Sequence, residues 1–296
     1  MPRRLSLILL SLILLAQPGQ AGEAPPPNSL QLKKGEGNAD LADYIERFPK
    51  TQWLHLGGTQ VTDAGLVHLK KLPELSCLEL DHSQITKAAV AHLRELTKLD
   101  RLRIDGCLDS DLRQIEGLKN VRFLDLGYSY VSNEGLIHLA GLSNLERLCL
   151  RDASKVGDAA LSHLSGLSGL RELDLDHTKI TDRGIVHLAK LKNLERLDLG
   201  RTEITNSGLE HLEQLSSLQD LNISHTHVTN AGLEHLEGLV GLRQLSLYRL
   251  RITDDGLAHL ERMTKLNVLG LKGTLVSDQG VTKLKAKLPS LFTVWH

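Results

Sequence analysis

Leucine recurs with a nearly constant step along most of the chain. One series runs through Leu54, Leu78, Leu102, Leu124, Leu148, Leu173, Leu197, Leu221, Leu245 and Leu269, stepping by 24 residues apart from one step of 22 and one of 25. Around each member the polarity alternates: in Leu173-Asp174-Leu175 the two leucines share one side and the aspartate takes the other, which predicts a short strand. Later in the unit leucines fall at i, i+3 and i+6, as at Leu66, Leu69 and Leu72, which predicts a helix with one apolar face. Ten such units in phase predict stacked strands on one side and stacked helices on the other.

The polar positions repeat as faithfully as the apolar ones. The turn after the strand holds Thr59, Ser83, Ser129, Thr178, Thr202, Thr226 or Thr274, where a hydroxyl can satisfy turn backbone groups that the ladder leaves unpaired. At the start of the helix Thr181-Asp182 supplies an N-cap and a first-turn acid, and the cap recurs as Thr62, Thr86, Ser132, Thr205, Thr229, Thr253 and Ser277. Gly65, Gly135, Gly184, Gly208, Gly232, Gly256 and Gly280 share one first-turn position. Glycine there costs up to about 1 kcal/mol of helix stability, so the pattern predicts close approach of the neighbouring unit. Ala89 fills the slot in one unit, which points to small size rather than positive φ.

The ends depart from the pattern. Residues 30–50 predict a degenerate N-terminal capping repeat, with Leu30 and Leu32 one step before Leu54 and Leu56. Asn38 is placed to cap a helix from Ala39 to Phe48, with Ile45 and Phe48 inward and Pro49 ending it. The regular units span 51–290, and residues 291–296 predict a capping strand through Leu291 to Val294, with Trp295 folded over the edge.

The segment from Leu170 to Leu188 resembles the leucine-rich-repeat template L-x-x-L-x-L-x-x-N/C-x-L, with Thr178 in the Asn/Cys slot. The longer pattern L-x-x-L-x-L-x-x-T-x-I-T-D-x-G-L-x-H-L stands almost intact at 170–188 and 218–236. The chain is thus similar to leucine-rich-repeat domains of the ribonuclease-inhibitor and cysteine-containing type. Among them it resembles the repeats of F-box proteins and of secreted bacterial proteins such as those of planctomycetes. The resemblance covers roughly residues 50–296. It implies an α/β horseshoe solenoid of about ten repeats, a parallel β-sheet on the concave face, helices on the convex face, and protein binding in the concavity. The F-box itself has no counterpart, because too few residues precede the repeats.

Composition refines this picture. Hydrophobic residues make up 41% of the 296, yet aromatics only 3%, as a narrow core of one repeated shape requires. The net charge of −1 gives no global pull toward nucleic acid or anionic membrane, and the sequence holds no basic stripe or aromatic stacking platform. Nucleic acid is therefore not an expected partner. Arg3 and Arg4 precede an apolar run from Leu5 to Ala16, and small residues Gly19 and Ala21 follow. This predicts a cleavable signal peptide over residues 1–21, since a membrane span needs about 20 apolar residues. Residues 22–29, with Pro25 to Pro27, form an extended linker. The expected location is secreted, periplasmic or cell envelope, with no membrane span after cleavage. Cys77, Cys107 and Cys149 fall too far apart in the stack to pair, so three free thiols are expected.

Candidate chemistry lies on the strand face. Outward positions collect carboxylates in two zones, Glu79, Asp81, Asp105 and Asp125, then Asp174, Asp176 and Asp198, with Arg151 between them. Such an array can steer a basic protein or peptide, or it can be a solvated face on which Asp is merely tolerated. Tyr128, Tyr130, Tyr248 and Arg249 lie beside these strands and are of the types that anchor interfaces. A histidine ladder (His68, His92, His138, His163, His187, His211, His235 and His259) reflects repeat duplication, or else metal or pH sensing. A second cluster of His177, His225 and His227 has Arg201 among it, which repels a cation. No nucleophile elbow, phosphate loop or zinc motif occurs, so neither an enzyme nor a cofactor is expected. The expected function is an exported, monomeric protein-binding scaffold. The alternatives are a substrate-recognition adaptor of the F-box (ubiquitin-ligase) type without its F-box, and a metal- or pH-sensing repeat protein.

Overall fold

A computed structural model describes residues 28–81 and 87–296. The expected signal peptide, the linker up to residue 27, and Ser83 and Thr86 lie outside the described residues. Twelve strands among the described residues form one parallel sheet in chain order. They are β1 (Ser29–Gln31), β2 (Trp53–His55), β3 (Cys77–Asp81), β4 (Arg101–Asp105), β5 (Phe123–Asp125), β6 (Arg147–Cys149), β7 (Glu172–Asp174), β8 (Arg196–Asp198), β9 (Asp220–Asn222), β10 (Gln244–Ser246), β11 (Val268–Gly270) and β12 (Thr293–Trp295).

The register follows the leucine series. Leu54 stands opposite Leu78, and the odd steps of the sequence survive as Leu102 opposite Leu124 and Leu148 opposite Leu173. Inward leucines from every unit merge into one core running from Leu32 to Leu291. Parallel strands stack about 4.8 Å apart, closer than packed helices can approach, so the column bends toward the sheet as a horseshoe.

The helical side is tighter than the expected helices. Typical segments are one α turn running into a 3₁₀ turn, as in Asp63–Leu66 followed by Val67–Lys71, and Asp182–Ile185 followed by Val186–Lys190. The physical reason is the spacing of three residues between Leu66, Leu69 and Leu72, which matches 3.0 residues per turn better than 3.6. Ten-residue α-helices bracket the stack, α1 (Asn38–Arg47) and α2 (Asp278–Lys287). No helix among the described residues is long and apolar enough to cross a membrane.

The turn threonines act as expected, Thr178 donating to the Leu175 carbonyl at 2.6 Å and Thr202 to Leu199 at 2.6 Å, whereas the buried Ser129 hydroxyl finds no hydrogen-bond partner among the described residues. At the helix starts Thr181, Thr205 and Ser277 accept from first-turn N–H groups as the expected N-caps, and a further cap is shared across units. Asp158 accepts from the N–H of Thr181 at 2.8 Å and from its hydroxyl at 2.7 Å. Asp109 does the same for Ser132, and Asp254 for Ser277. Where Asn replaces Asp, as at Asn230, its oxygen accepts from the Thr253 N–H and its amide donates to the Thr253 hydroxyl. Asn38 belongs to this series: it serves Thr62 of the next unit, and Gly37 rather than Asn38 precedes α1. The first-turn glycines make room for that carboxylate or amide, as a Cβ on Gly184 would stand 2.5 Å from Asp158 Oδ1.

The ends also correct two expectations. Phe48 is 52% exposed, because it lies past the last turn of α1, and Leu41 joins Ile45 inside instead. The last strand begins two residues later than expected, with Val294 opposite Leu269 and Trp295 paired opposite Gly270. Cys77, Cys107 and Cys149 are free.

Candidate functional site

The strand face carries three outward columns, one more than was read from the sequence. The additional column precedes each central leucine and includes Trp53, Arg101, Phe123, Arg147, Glu172, Arg196 and Asp220. The same alternation carried one step backward along each strand identifies it. Arg101, Arg147 and Arg122 surround the Phe123 ring at 4.5, 5.0 and 5.4 Å from its centre. Arg147 pairs with Glu172 at 2.9 Å, and Arg196 bridges Glu172 to Asp220.

The carboxylates expected as an open acidic surface are largely buried. Glu79, Asp125, Asp174, Asp176 and Asp198 all lie inside the lattice of their neighbours, Asp198 with 2% exposure. Two causes act together. An aspartate one residue after the central leucine curls back to the amide two residues on: Asp125 accepts from Gly127 N–H at 2.9 Å, Asp174 from Asp176 at 3.0 Å and Asp198 from Gly200 at 2.8 Å. Arginines then close over the row. Arg151 reaches Asp174 at 2.9 Å, Asp176 at 3.3 Å and Asp198 at 3.7 Å, and Arg201 also pairs with Asp176. Burial, with Asp174 and Asp176 beside it, pushes the Asp198 carboxyl up to about 7. Burial raises Asp174 as well.

In the first acidic zone Glu79 accepts from the Trp53 indole at 2.9 Å and pairs with His55 at 2.8 Å. That hydrogen bond to Glu79 raises the pKa of His55. Arg103 holds Asp105 at 2.7 Å and stands 3.9 Å from Asp125. Asp81 ends β3 opposite Asp105. Of Glu79, Asp105 and Asp125, Asp105 alone keeps its carboxylate substantially open to solvent.

Beyond the strand ends runs a column of left-handed residues: Tyr128, Asp152, His177, Arg201, His225 and Arg249, with φ between 52 and 59°. Gly58, Gly106 and Gly273 occupy the same slot elsewhere, and their spacing is the sequence signal that marks it. Each N–H continues the ladder onto the next unit, as Tyr128 does to the Arg151 carbonyl at 2.7 Å and Arg249 to Lys272 at 3.0 Å. The conformation costs roughly 1 kcal/mol or more per non-glycine residue and aims six side chains along one rim. On this rim Tyr128 is 61% exposed, and nearby Tyr130 is 60% exposed.

At the C-terminal end the charge lattice stops. After Asp220 the outward strand positions are Asn222, Gln244, Ser246, Val268, Gly270, Thr293 and Trp295. The Tyr248 ring lies over Gly270, where a Cβ would come within 2.6 Å of it. His225, Tyr248, Arg249, Lys272 and Gly273 line an open depression of about 620 Å³.

Three members of the histidine ladder on the helical side pair with acids of the preceding unit. His138 meets Glu116 at 3.2 Å, His235 meets Glu213 at 2.7 Å and His259 meets Glu237 at 2.6 Å. Among the described residues no group of three or more His, Cys, Asp or Glu is placed to hold a metal ion.

Comparison with known proteins places this architecture. Residues 168–228 match the family model described as leucine rich repeat. The internalin InlF of Listeria monocytogenes superposes with a TM-score of 0.61 at 19% identity, covering 84% of this chain and 68% of that one. TLR13, solved in complex with ssRNA13, superposes with a TM-score of 0.62 at 23% identity, covering 85% of this chain. This chain spans 36% of the TLR13 chain. Comparison with curated protein sequences finds no significant match. The fold is the leucine-rich-repeat solenoid.

Proposed function

We propose that this leucine-rich-repeat solenoid is a binding scaffold that holds a protein or peptide against its concave sheet and the adjoining left-handed rim, and that it works outside the cytoplasm. The observation that carries the reading is the pair Tyr128 and Tyr130. Two large amphipathic rings stand about 60% exposed near a row of buried carboxylates held by Arg151. Tyr128 does so from a backbone conformation that favours glycine. Exposed tyrosines on a rigid frame supply contact area at little entropic cost, which is what an interface centre needs.

The burial pattern divides the residues singled out on this face. Asp105, Tyr128, Tyr248 and Arg249 are accessible and would meet the partner. Glu79, Asp125, Arg151, Asp174, Asp176 and Asp198 form the paired layer beneath and would set its rigidity, with Asp81 at the margin of the first zone. The leader-like residues 1–21 support export, to the medium or the cell envelope.

The test is retention of a partner from the extracellular or envelope fraction by immobilised protein. Tyr128→Ala combined with Tyr130→Ala should weaken that retention at least tenfold while thermal unfolding stays unchanged. A partner held equally by the double variant, or lost instead on His187→Ala across the solenoid, would remove this face from the function.

A further inference from the structure

The pairing that neutralises the concave face follows the units until β9 and then fails. On the rim His177 is engaged by Asp152, and Arg201 by Asp176. On the sheet Asp220 is the last outward carboxylate, and Arg196 holds it at 2.9 Å. Past His225 on the rim, and in the outermost strand-face column beside it, stand Arg249 and Lys272, both exposed, and neither has an ion-pair partner among the described residues. They share the depression of about 620 Å³ with the His225 ring and with Tyr248, which the absence of a side chain at Gly270 lets lie along its wall.

We propose that this depression binds a phosphate group carried on a peptide. The proposal rests on the concave-face reading for its source, and on the depression alone for its chemistry. Arg249 supplies a planar fork of N–H donors, Lys272 a mobile point charge, His225 a ring nitrogen, and Tyr248 a hydroxyl. Donors arriving from several directions fit a tetrahedral oxyanion, whereas a planar carboxylate is satisfied by the guanidinium fork alone. The positive charge is a single point. On one side Arg201 is already paired with Asp176, and on the other the β12 residues Thr293 and Trp295 carry no charge, so among the described residues no track of successive cations follows a polymer backbone. A single phosphate on a side chain therefore fits better than a nucleic acid.

The electrostatics around His225 are positive. Partial burial and the nearby guanidinium groups of Arg201 and Arg249 lower the pKa of His225. The carboxylate that opposes them, Asp176, is itself held by Arg151 and Arg201. A bound dianion would reverse that balance. The left-handed backbone at His225 and Arg249 adds a structural argument, because both side chains are kept where glycine would be less strained.

The experiment is a histidine NMR titration of the full protein with inorganic phosphate, then with a phosphoserine peptide, its unphosphorylated and glutamate forms, and a single-stranded oligonucleotide. Phosphate should shift the His225 ring saturably and raise its midpoint. The phosphoserine peptide should bind at the same residues at least tenfold more tightly than either of its other forms. Arg249→Ala with Lys272→Ala, both exposed and remote from the core, should weaken phosphate at least tenfold, and Lys190→Ala on the helical side should not. No saturable shift at His225, an unchanged response in the double variant, or equal binding of the glutamate peptide overturns the proposal. So does inorganic phosphate binding more tightly than the phosphopeptide, or oligonucleotide affinity that grows with length. Because phosphate is titrated without any partner, these failures are separate from loss of the tyrosine-dependent interaction.

Discussion

Asp182 accepts two hydrogen bonds from Thr205 of the following repeat, from the backbone N–H at 2.8 Å and from the hydroxyl at 2.6 Å. The acid at the first turn of one helix therefore organises the entry into the next. Asp182→Ala should lower the unfolding free energy by about 1–2 kcal/mol, the usual cost of losing a cap. Asp182→Asn should cost less than about 0.5 kcal/mol, because Asn206 and Asn230 fill this role in neighbouring units. Denaturant titration of the two variants measures the difference, and equal losses would show that charge rather than geometry matters.

Gly208 presses on the same group: an added Cβ would collide with Asp182 Oδ1. Gly208→Ala should therefore destabilise even though alanine is the better helix former. In an Asp182→Ala background the same change should turn neutral or favourable, and a double-mutant cycle gives the coupling directly.

Asp198 makes stability depend on pH. Its folded pKa is about 7 and its reference value 3.8, so between those values the folded protein keeps a proton that the unfolded chain has lost. Stability from this group accordingly falls as pH rises from about 4 to 7. Asp198→Asn should flatten that slope and leave the variant at least as stable as the parent at pH 8. A slope unchanged in the variant would assign it to another group.

Arg151 is the only cation within 4 Å of all three carboxylates of the central row among the described residues. Arg151→Met leaves buried Asp174 and Asp198 without a cation, and Asp176 with Arg201 alone, and should cost about 3–5 kcal/mol at pH 8. The loss should shrink near pH 5, where Asp198 and Asp174 retain protons more readily than an ordinary carboxylate. Unfolding curves at the two pH values separate this electrostatic cost from lost packing, which would be the same at both.

Burial pushes the Cys77 thiol up to about 12, and it raises Cys107 and Cys149 as well. Since thiolates are the reactive form, a disulfide reagent at pH 8 should label none of the three in the folded protein and all three in guanidinium. Rapid labelling of Cys149 alone would show that the sheet opens locally around β6.

Much of this fold is legible in the sequence because the same leucines that set the phase also build the core. Leu54, Leu78 and Leu102 are spaced one unit apart in the chain and lie side by side in the sheet. Thr178 and Thr202 were equally readable, since each bonds a carbonyl three residues away. What escaped was whatever depends on a neighbour a full unit distant. Asp182 looks locally like a helix-dipole residue, and its bond to Thr205 is invisible to a local window. The alternation says that Asp174 and Asp198 point outward but not how deep they lie. Their burial comes from Arg151 and Arg201, which reach across strands. Tyr128 and Arg249 were legible as interface types, but not as members of a left-handed column, because only Gly58, Gly106 and Gly273 betray that slot.

The cross-unit caps have a consequence for how such a chain can lengthen. Among the described residues every bond of this ladder joins residues 23 or 24 positions apart, from Asn38 with Thr62 to Asp254 with Ser277. A tandem copy of one whole period, wherever in the unit it begins, reinstates both members of each pair at their proper separation. No privileged breakpoint is needed, and the new helix entrance inherits its acceptor from the copy before it. An excision shorter than a period leaves an amide with no oxygen to meet it. The ladder thus favours growth and loss in whole repeats.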